Sequence, residues 1–400
     1  MSRFGRIAVV GASLAGLRAT EFLRRARFEG ELLLIGDESH LPYDRPPLSK
    51  ELLRGEWDEE RIALRRKTYD DLDVELMLGR RVSSLDSDNR ILRFDDGGVA
   101  SFDGLVIATG GRARRLPNQP DLDGVFTLRT LDEALRIRAE LAAKPKVAIV
   151  GAGFIGAEIA ASVRQLGLDI TMIEALDVPL VRGLGPTLGA RMQRVHEQHG
   201  VRVLCGRTVE AIEGEQRVCA LVLDDGSRVE CGLVVVGIGM TPATEWLEGS
   251  GVELGDGVVC DETLATTVPG IVAAGDVASW PNPLFGERMR VEHWTNAVEQ
   301  ARHAVDTLLA APGETTPFES VPMFWSDQYD IKVQGIGRPR STDELTVVEG
   351  GEGNKLVAVY ARDGQMTGAV TFNHAPKLIK LRMLMAKRGD LDEALKIAHA

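Results

Sequence analysis

Cysteine is scarce in this sequence: Cys205, Cys219, Cys231 and Cys260 are the only four among 400 residues. Their separations of 14, 12 and 29 positions match neither a Cys-x-x-Cys redox pair nor a zinc site, so dithiol and iron–sulfur chemistry are not expected of the chain itself. Scattered thiols of this kind read as small apolar residues of a reducing compartment. Long hydrophobic runs are missing too. The apolar stretch from Ile7 is broken by Gly11 and Gly16 and has no convincing cleavage site, which argues against a signal peptide. No run approaches the ~18 residues of a membrane span, and a cytoplasmic protein is expected. Basic charge is in deficit, 47 Lys and Arg against 59 Asp and Glu, and the net −12 has the wrong sign for a general nucleic-acid or anionic-membrane binder. At roughly 100–200 residues per domain the length predicts two to four domains.

Glycine is plentiful, and its placement carries the first positive signal. Residues 7–38 read as a strand (Ile7-Ala-Val-Val), a glycine turn (Gly11-Ala-Ser13-Leu14-Ala15-Gly16), a helical stretch, and a second strand ending in Gly36-Asp37-Glu38. In such a unit the first glycine makes the sharp turn, the middle position lets backbone approach a pyrophosphate, and the last lets helix and strand pack closely. Ser13 stands where the middle glycine is usual; it is small and able to donate to a phosphate oxygen. Asp37, 21 residues after Gly16, is placed to accept from a ribose hydroxyl. Residues 146–174 repeat the unit intact: Val147-Ala-Ile-Val150, then Gly151-Ala-Gly153-Phe154-Ile155-Gly156, a helix, and a strand closing on Glu174. A lone fingerprint is weak evidence; two, each with strand, helix and terminal acid, predict two dinucleotide sites. A carboxylate at Glu174 repels a 2′-phosphate, and residues 175–179 supply no Arg or Lys to hold one, so NADH is favoured over NADPH.

Three more apolar segments stop at glycine: Leu105 to Ala108-Thr109-Gly110, Leu233 to Gly237-Ile-Gly239, and Ile271 to Gly275-Asp276-Val277. Such ends suit the carboxyl edge of a parallel sheet, where ligands lie against backbone. Their order suggests a first nucleotide domain interrupted by the second: residues 1–113 and 241–320 as one unit, 114–240 as the insert. From 321 the pattern changes to short strands with Gly and Asp turns, followed by a helical stretch over 376–398. The expected fold class is α/β, with two Rossmann-like domains and an α+β C-terminal domain over 321–400.

The runs Pro42-Tyr-Asp-Arg45-Pro-Pro-Leu-Ser-Lys50, Glu292-His-Trp294 and Phe324-Trp325-Ser-Asp-Gln-Tyr329, taken with the glycine motifs, resemble the FAD-dependent, NADH-using ferredoxin reductases. That family serves bacterial aromatic-ring dioxygenases and haem-thiolate monooxygenases, and the likeness spans nearly the whole chain. It implies a glutathione reductase-like fold with FAD, NAD and C-terminal domains. Disulfide-reducing members of that fold carry a cysteine pair after the first helix; this chain has Arg45 to Lys50 there and no cysteine. The resemblance further implies that Gly11 to Gly16 cradle the FAD pyrophosphate, Arg45 and Lys50 approach the flavin, Val82 meets the adenine and Asp276 the ribityl chain. Trp294 and Trp325 become candidates for the flavin's flank, and Glu158 the partner of Lys50, a cation that would favour the flavin's reduced form.

The expected activity is hydride transfer from NADH to FAD and single-electron delivery to a [2Fe-2S] ferredoxin. Such ferredoxins are acidic, so a basic patch is needed; Lys377, Lys380, Lys387 and Arg388 fall within one arc of a helix and are docking candidates, with Arg65-Arg66-Lys67 and Arg112 with Arg114-Arg115 as rival basic clusters. Rival acceptors are rubredoxin or dioxygen. A redox-sensing binding protein like apoptosis-inducing factor is a further alternative, but its long C-terminal insertion has no room here. His196 and His199 share a helical face without a third ligand, so they are read as a solvated face and no metal is expected.

Overall fold

A computed structural model describes residues 4–311, 313–349 and 354–400. Its contacts divide the chain into two units: residues 1–44, 63–112 and 241–323, and residues 45–62, 113–240 and 324–400.

The first unit is built on a five-stranded parallel sheet in the order Ile271–Ala273, Gly104–Ile107, Arg6–Val10, Glu31–Ile35, Val74–Met77. The central strands are unbroken apolar runs. Ile7 to Val10 and Leu32 to Ile35 are all buried, the pattern of strands covered on both faces rather than one. Helices Leu14–Arg25 and Trp294–Leu309 pack together within this unit, and the sheet and helix residues share one buried core. A small antiparallel sheet (Val82–Asp86, Ile91–Phe94, Val99–Ser101) and a four-stranded sheet over residues 254–290 complete it.

The second unit repeats the architecture. Its parallel sheet runs Arg202–Cys205, Ile170–Glu174, Val147–Val150, Leu233–Val236, Val125–Thr127. The registers Ile7↔Leu32 and Val147↔Ile170 set the two fingerprint strands against their acid-bearing neighbours in the same way. The C-terminal segment forms an antiparallel sheet in the order Met323–Gln328, Ile331–Gly337, Gln365–Phe372, Leu356–Arg362, Glu344–Glu349, with helices Ala375–Ala386 and Leu391–His399. The α/β class with an α+β tail is therefore present. The contact grouping differs in two places from the expected division into residues 1–113 with 241–320, residues 114–240 and residues 321–400. Residues 45–62 join the second unit because Ser49, Lys50 and Arg54 hydrogen-bond to helix Phe154–Gln165. The C-terminal sheet joins it because Val333, Ala358, Tyr360 and Phe372 share a buried cluster with Leu180, Leu184, Leu188 and Met192. Among the described residues no helix is long and apolar enough to cross a membrane.

Candidate functional site

In the first unit the strand Arg6–Val10 turns at Gly11, whose φ of +117° belongs to the region that favours glycine. A Cβ on Gly11 would collide with the Ala108 carbonyl oxygen, and one on Gly16 with the Gly11 carbonyl oxygen. Turn, neighbouring strand and helix are thus in direct backbone contact. Helix Leu14–Arg25 starts at Ser13 without a side-chain cap and without acid in its first turn. Helix Leu131–Leu141 shows the contrast: Thr130 and Glu133 form a complete capping box, and Asp132 adds charge to the dipole. A cap is worth ~1 kcal/mol, so its omission leaves the helix's positive end for an outside anion.

The second unit has the same construction. Gly151 turns at φ +98°, and a Cβ on Gly156 would collide with the Gly151 carbonyl oxygen. Helix Phe154–Gln165 begins at Gly153, again uncapped and free of acid in its first turn. A Cβ on Gly153 or Gly239 would meet nothing within 4 Å, so the loop face at the strand ends is open. Glu174 is fixed toward this loop: Oε2 accepts from the Ala152 N–H at 2.6 Å and Oε1 from the Leu176 N–H at 3.0 Å. Two glycine turns, two uncapped helix starts and an acid tethered beside one of them fit the pyrophosphates and ribose of FAD and a nicotinamide dinucleotide.

Other candidates are distributed unevenly. Phe154 packs against Phe324 in a tilted arrangement with ring centroids 4.8 Å apart, so its ring is engaged in packing, whereas Ile155 is exposed. In the first unit Ala108, Val82 and Val277 are buried in the core. The Thr109 hydroxyl donates to the Ala243 carbonyl at 2.8 Å, fixing the loop that contains Gly110. Asp276 is half-buried and its carbonyl accepts from Arg290 at 3.0 Å. Trp294 is half-buried, its indole N–H donating to Asp44 at 2.8 Å. Asp37 is exposed, while Glu38 beside it accepts from the Tyr43 hydroxyl at 2.5 Å. In the second unit Trp325 is half-buried, and the Arg45 guanidinium donates to the Arg129 carbonyl oxygen.

The strongest polar feature is a buried ion pair in the second unit. Lys50 Nζ lies 3.0 Å from Glu158 Oε2, with side-chain exposures of only 7% and 8%. Ser49 Oγ donates to the same oxygen at 2.5 Å and Ser326 Oγ to Oε1 at 2.7 Å. Both carboxylate oxygens are therefore occupied, the condition under which an ion pair tolerates removal from water. In the sequence Lys50 and Glu158 lie 108 positions apart, and nothing local distinguishes Ser49 or Ser326 from other serines.

The thiols are no rival to this centre. All four are free, and burial raises Cys205 to about 11 and Cys231 and Cys260 to about 12, away from the reactive thiolate. His196 requires a correction. It is completely buried rather than part of a solvated face, because its helix turns it toward Gln328 and Tyr329. No group of metal-binding side chains occurs among the described residues.

A residue hidden by sequence distance also comes to Glu174. Arg207 donates its backbone N–H to the Glu174 carbonyl at 3.0 Å, and its guanidinium pairs with Asp225 at 2.8 Å. Glu174→Ala should raise the KM for NADH roughly tenfold, from loss of a charge-assisted ribose contact, while kcat changes little. The ratio of kcat/KM for NADH and NADPH measures it; an unchanged ratio would contradict the assignment.

Two parallel-sheet units with dinucleotide cradles and no thiol pair define a pyridine-nucleotide-linked oxidoreductase. The chain belongs to the pyridine nucleotide-disulphide oxidoreductase family, which matches residues 5–301, and carries a reductase C-terminal domain over residues 323–398. It is 38% identical over 390 residues to the ferredoxin–NAD(+) reductase component of the p-cumate 2,3-dioxygenase system of Pseudomonas putida, covering 97% of this chain and 94% of that protein. It is also 38% identical to the corresponding component of the biphenyl dioxygenase system of Paraburkholderia xenovorans, covering 92% and 90%. Among solved structures, the covalent putidaredoxin reductase–putidaredoxin complex superposes with a TM-score of 0.92 at 30% identity, covering 100% of both chains.

Proposed function

We propose that the protein is the NADH-dependent, FAD-containing reductase of an oxygenase electron-transfer chain, passing single electrons to a [2Fe-2S] ferredoxin. The observation that carries this reading is the pairing of two glycine-turn cradles, each at an uncapped helix start, with a chain that lacks a redox thiol pair. Similarity to ferredoxin–NAD(+) reductase components over nearly the full chain supports it. FAD, when bound, supplies acceptance of a hydride and release of electrons one at a time. The polypeptide's contribution is binding and orientation. The turns at Gly11 to Gly16 and Gly151 to Gly156 present N–H groups and helix dipoles to pyrophosphate, with Leu14, Ala15, Phe154 and Ile155 forming the first helical turns. Asp37 and Glu174 are assigned to ribose hydroxyls, Val82, Ala108 to Gly110, Asp276, Val277, Trp294 and Trp325 to the flavin nucleotide, and Gly239 to the nicotinamide side. Lys50, with Glu158 as its counter-ion and Arg45 nearby in sequence, is assigned the electrostatics of the hydride step.

Anaerobic stopped-flow tests the reading. NADH should bleach the FAD-loaded protein, and a [2Fe-2S] ferredoxin should restore its colour in one-electron steps. A colourless protein that FAD does not reconstitute would overturn it. Rapid reoxidation by dioxygen with none by ferredoxin would favour an oxidase instead.

Ferredoxin docking is assigned to the helix Ala375–Ala386 and the residues after it. Lys380 and Lys387 are exposed there alongside Ile379 and Met383, which are 57% and 60% exposed. Apolar contacts ringed by positive charge suit a small acidic protein. Lys377 donates to the Ala398 carbonyl at 2.6 Å, so its ammonium is tied to the last helix, and Arg388 extends the exposed positive charge. Charge reversal at Lys380 and Lys387 should slow ferredoxin reduction severalfold at low salt, with NADH-to-ferricyanide turnover intact. Equal loss of both activities, or of neither, would move the dock elsewhere.

A further inference from the structure

Glu158 does not end with the serines. Ser326 Oγ also accepts from Gln328 Nε2 at 3.0 Å, Gln328 Oε1 lies 2.9 Å from His196 Nε2, and His196 Nδ1 lies 3.1 Å from the Tyr329 hydroxyl. Ser326, Gln328 and His196 are all completely buried. Ser326 and Gln328 are two apart on strand Met323–Gln328 and so share a face, and His196 comes from the last turn of helix Val181–Gln198.

Only one direction of donation satisfies every member. An ionised Glu158 accepts on Oε1, which commits the single Ser326 proton to it. Ser326 must then accept from the Gln328 amide, whose oxygen is left to face His196 and requires an N–H at Nε2. His196 Nδ1 is left as the acceptor for Tyr329. Reversing Gln328 would draw the Ser326 proton away and turn its lone pairs onto the carboxylate. Burial holds His196 down to about 4, so it is neutral and a single tautomer can serve. The amide in the middle does not pass a proton along without becoming an imidic acid, so this chain orients groups rather than conducting protons.

We propose that His196 is a positioning residue for the Lys50–Glu158 pair: through its Nε2–H it fixes the Gln328 amide, which commits the Ser326 hydroxyl to Glu158. The proposal rests on the assignment of that pair to the hydride step.

Three measurements on the FAD-loaded full chain test it. Nitrogen NMR of the histidines should show His196 as the neutral Nε2–H tautomer in the unaltered protein; the Nδ1–H tautomer would overturn the proposal without any variant. Infrared difference spectra, with Glu158→Gln identifying the band, should show the Glu158 carboxylate stretch displaced in His196→Leu and restored in His196→Gln, whose amide can place an N–H in the same direction. Loss of one charge-assisted hydrogen bond predicts flavin reduction roughly threefold to tenfold slower in His196→Leu, with NADH affinity unchanged. Ser326→Ala cuts the link, so adding His196→Leu to it should leave the Glu158 band and the rate where Ser326→Ala alone puts them. A band unmoved by His196→Leu, or full additivity with Ser326→Ala, would make His196 a packing residue. If the band moves but no variant of Lys50 or Glu158 alters flavin reduction, the chain stands and the assignment of the pair fails.

Discussion

Lys50→Met is expected to destabilise the second unit by roughly 3–5 kcal/mol, because it strands a buried carboxylate rather than merely removing a contact. Glu158 would keep the Ser49 and Ser326 hydroxyls but lose the ammonium with which it pairs at 3.0 Å. The double variant Lys50→Met, Glu158→Gln should recover most of that loss, since the amide oxygen still accepts from a serine and no charge remains unpaired. Denaturant unfolding of the single and double variants separates the two cases; equal destabilisation by both would mean that packing, not charge, dominates. Catalysis should behave otherwise. Both variants lack the cation assigned to the hydride step, so flavin reduction by NADH should slow by on the order of tenfold or more in each. Recovery of stability without recovery of rate distinguishes a reaction-specific role from a structural one.

Gly11→Ala should yield a protein that does not retain FAD. The residue holds φ at +117°, and its Cβ would overlap the Ala108 carbonyl oxygen, a rigid backbone atom of the neighbouring strand. Strain of this kind costs ~1–3 kcal/mol before any clash, and relieving the clash moves the loop whose N–H groups are proposed to hold the pyrophosphate. Gly153→Ala provides the control. Its Cβ would enter open space, so the sheet should fold normally while nicotinamide affinity falls. Flavin absorbance of the purified variants reads the first effect and NADH titration the second. A yellow Gly11→Ala protein with unaltered flavin content would remove this turn from the FAD site.

Local pattern was sufficient for the two cradles because all their parts are adjacent in the chain. An apolar run, a glycine at the turn, a helix and a terminal acid occupy about thirty consecutive residues, and close packing of backbone demands glycine at Gly11, Gly16, Gly151 and Gly156 whatever surrounds them. Part of the antiparallel tail was legible for a similar reason, as short apolar segments between Gly and Asp turns, but the pairing of Ile331–Gly337 with Gln365–Phe372 joins strands that are not chain neighbours. The absence of a cysteine pair was equally a property of the string, and it supports the proposed passage of electrons from the flavin directly to a partner.

Packing between distant segments decided the rest. Glu158 meets Lys50 across 108 positions and Ser326 across 168, and His196 meets Gln328 across 132. A histidine on a helix looks the same in sequence whether its face meets water or a strand from the end of the chain; only the strand's arrival buried His196 and supplied its partners. The same holds for residues 45–62, which precede the second fingerprint by a hundred residues yet hydrogen-bond to its helix. Glycine turns encode backbone geometry, which is local. The polar network encodes the satisfaction of groups removed from water, and that depends on which segments the fold brings together.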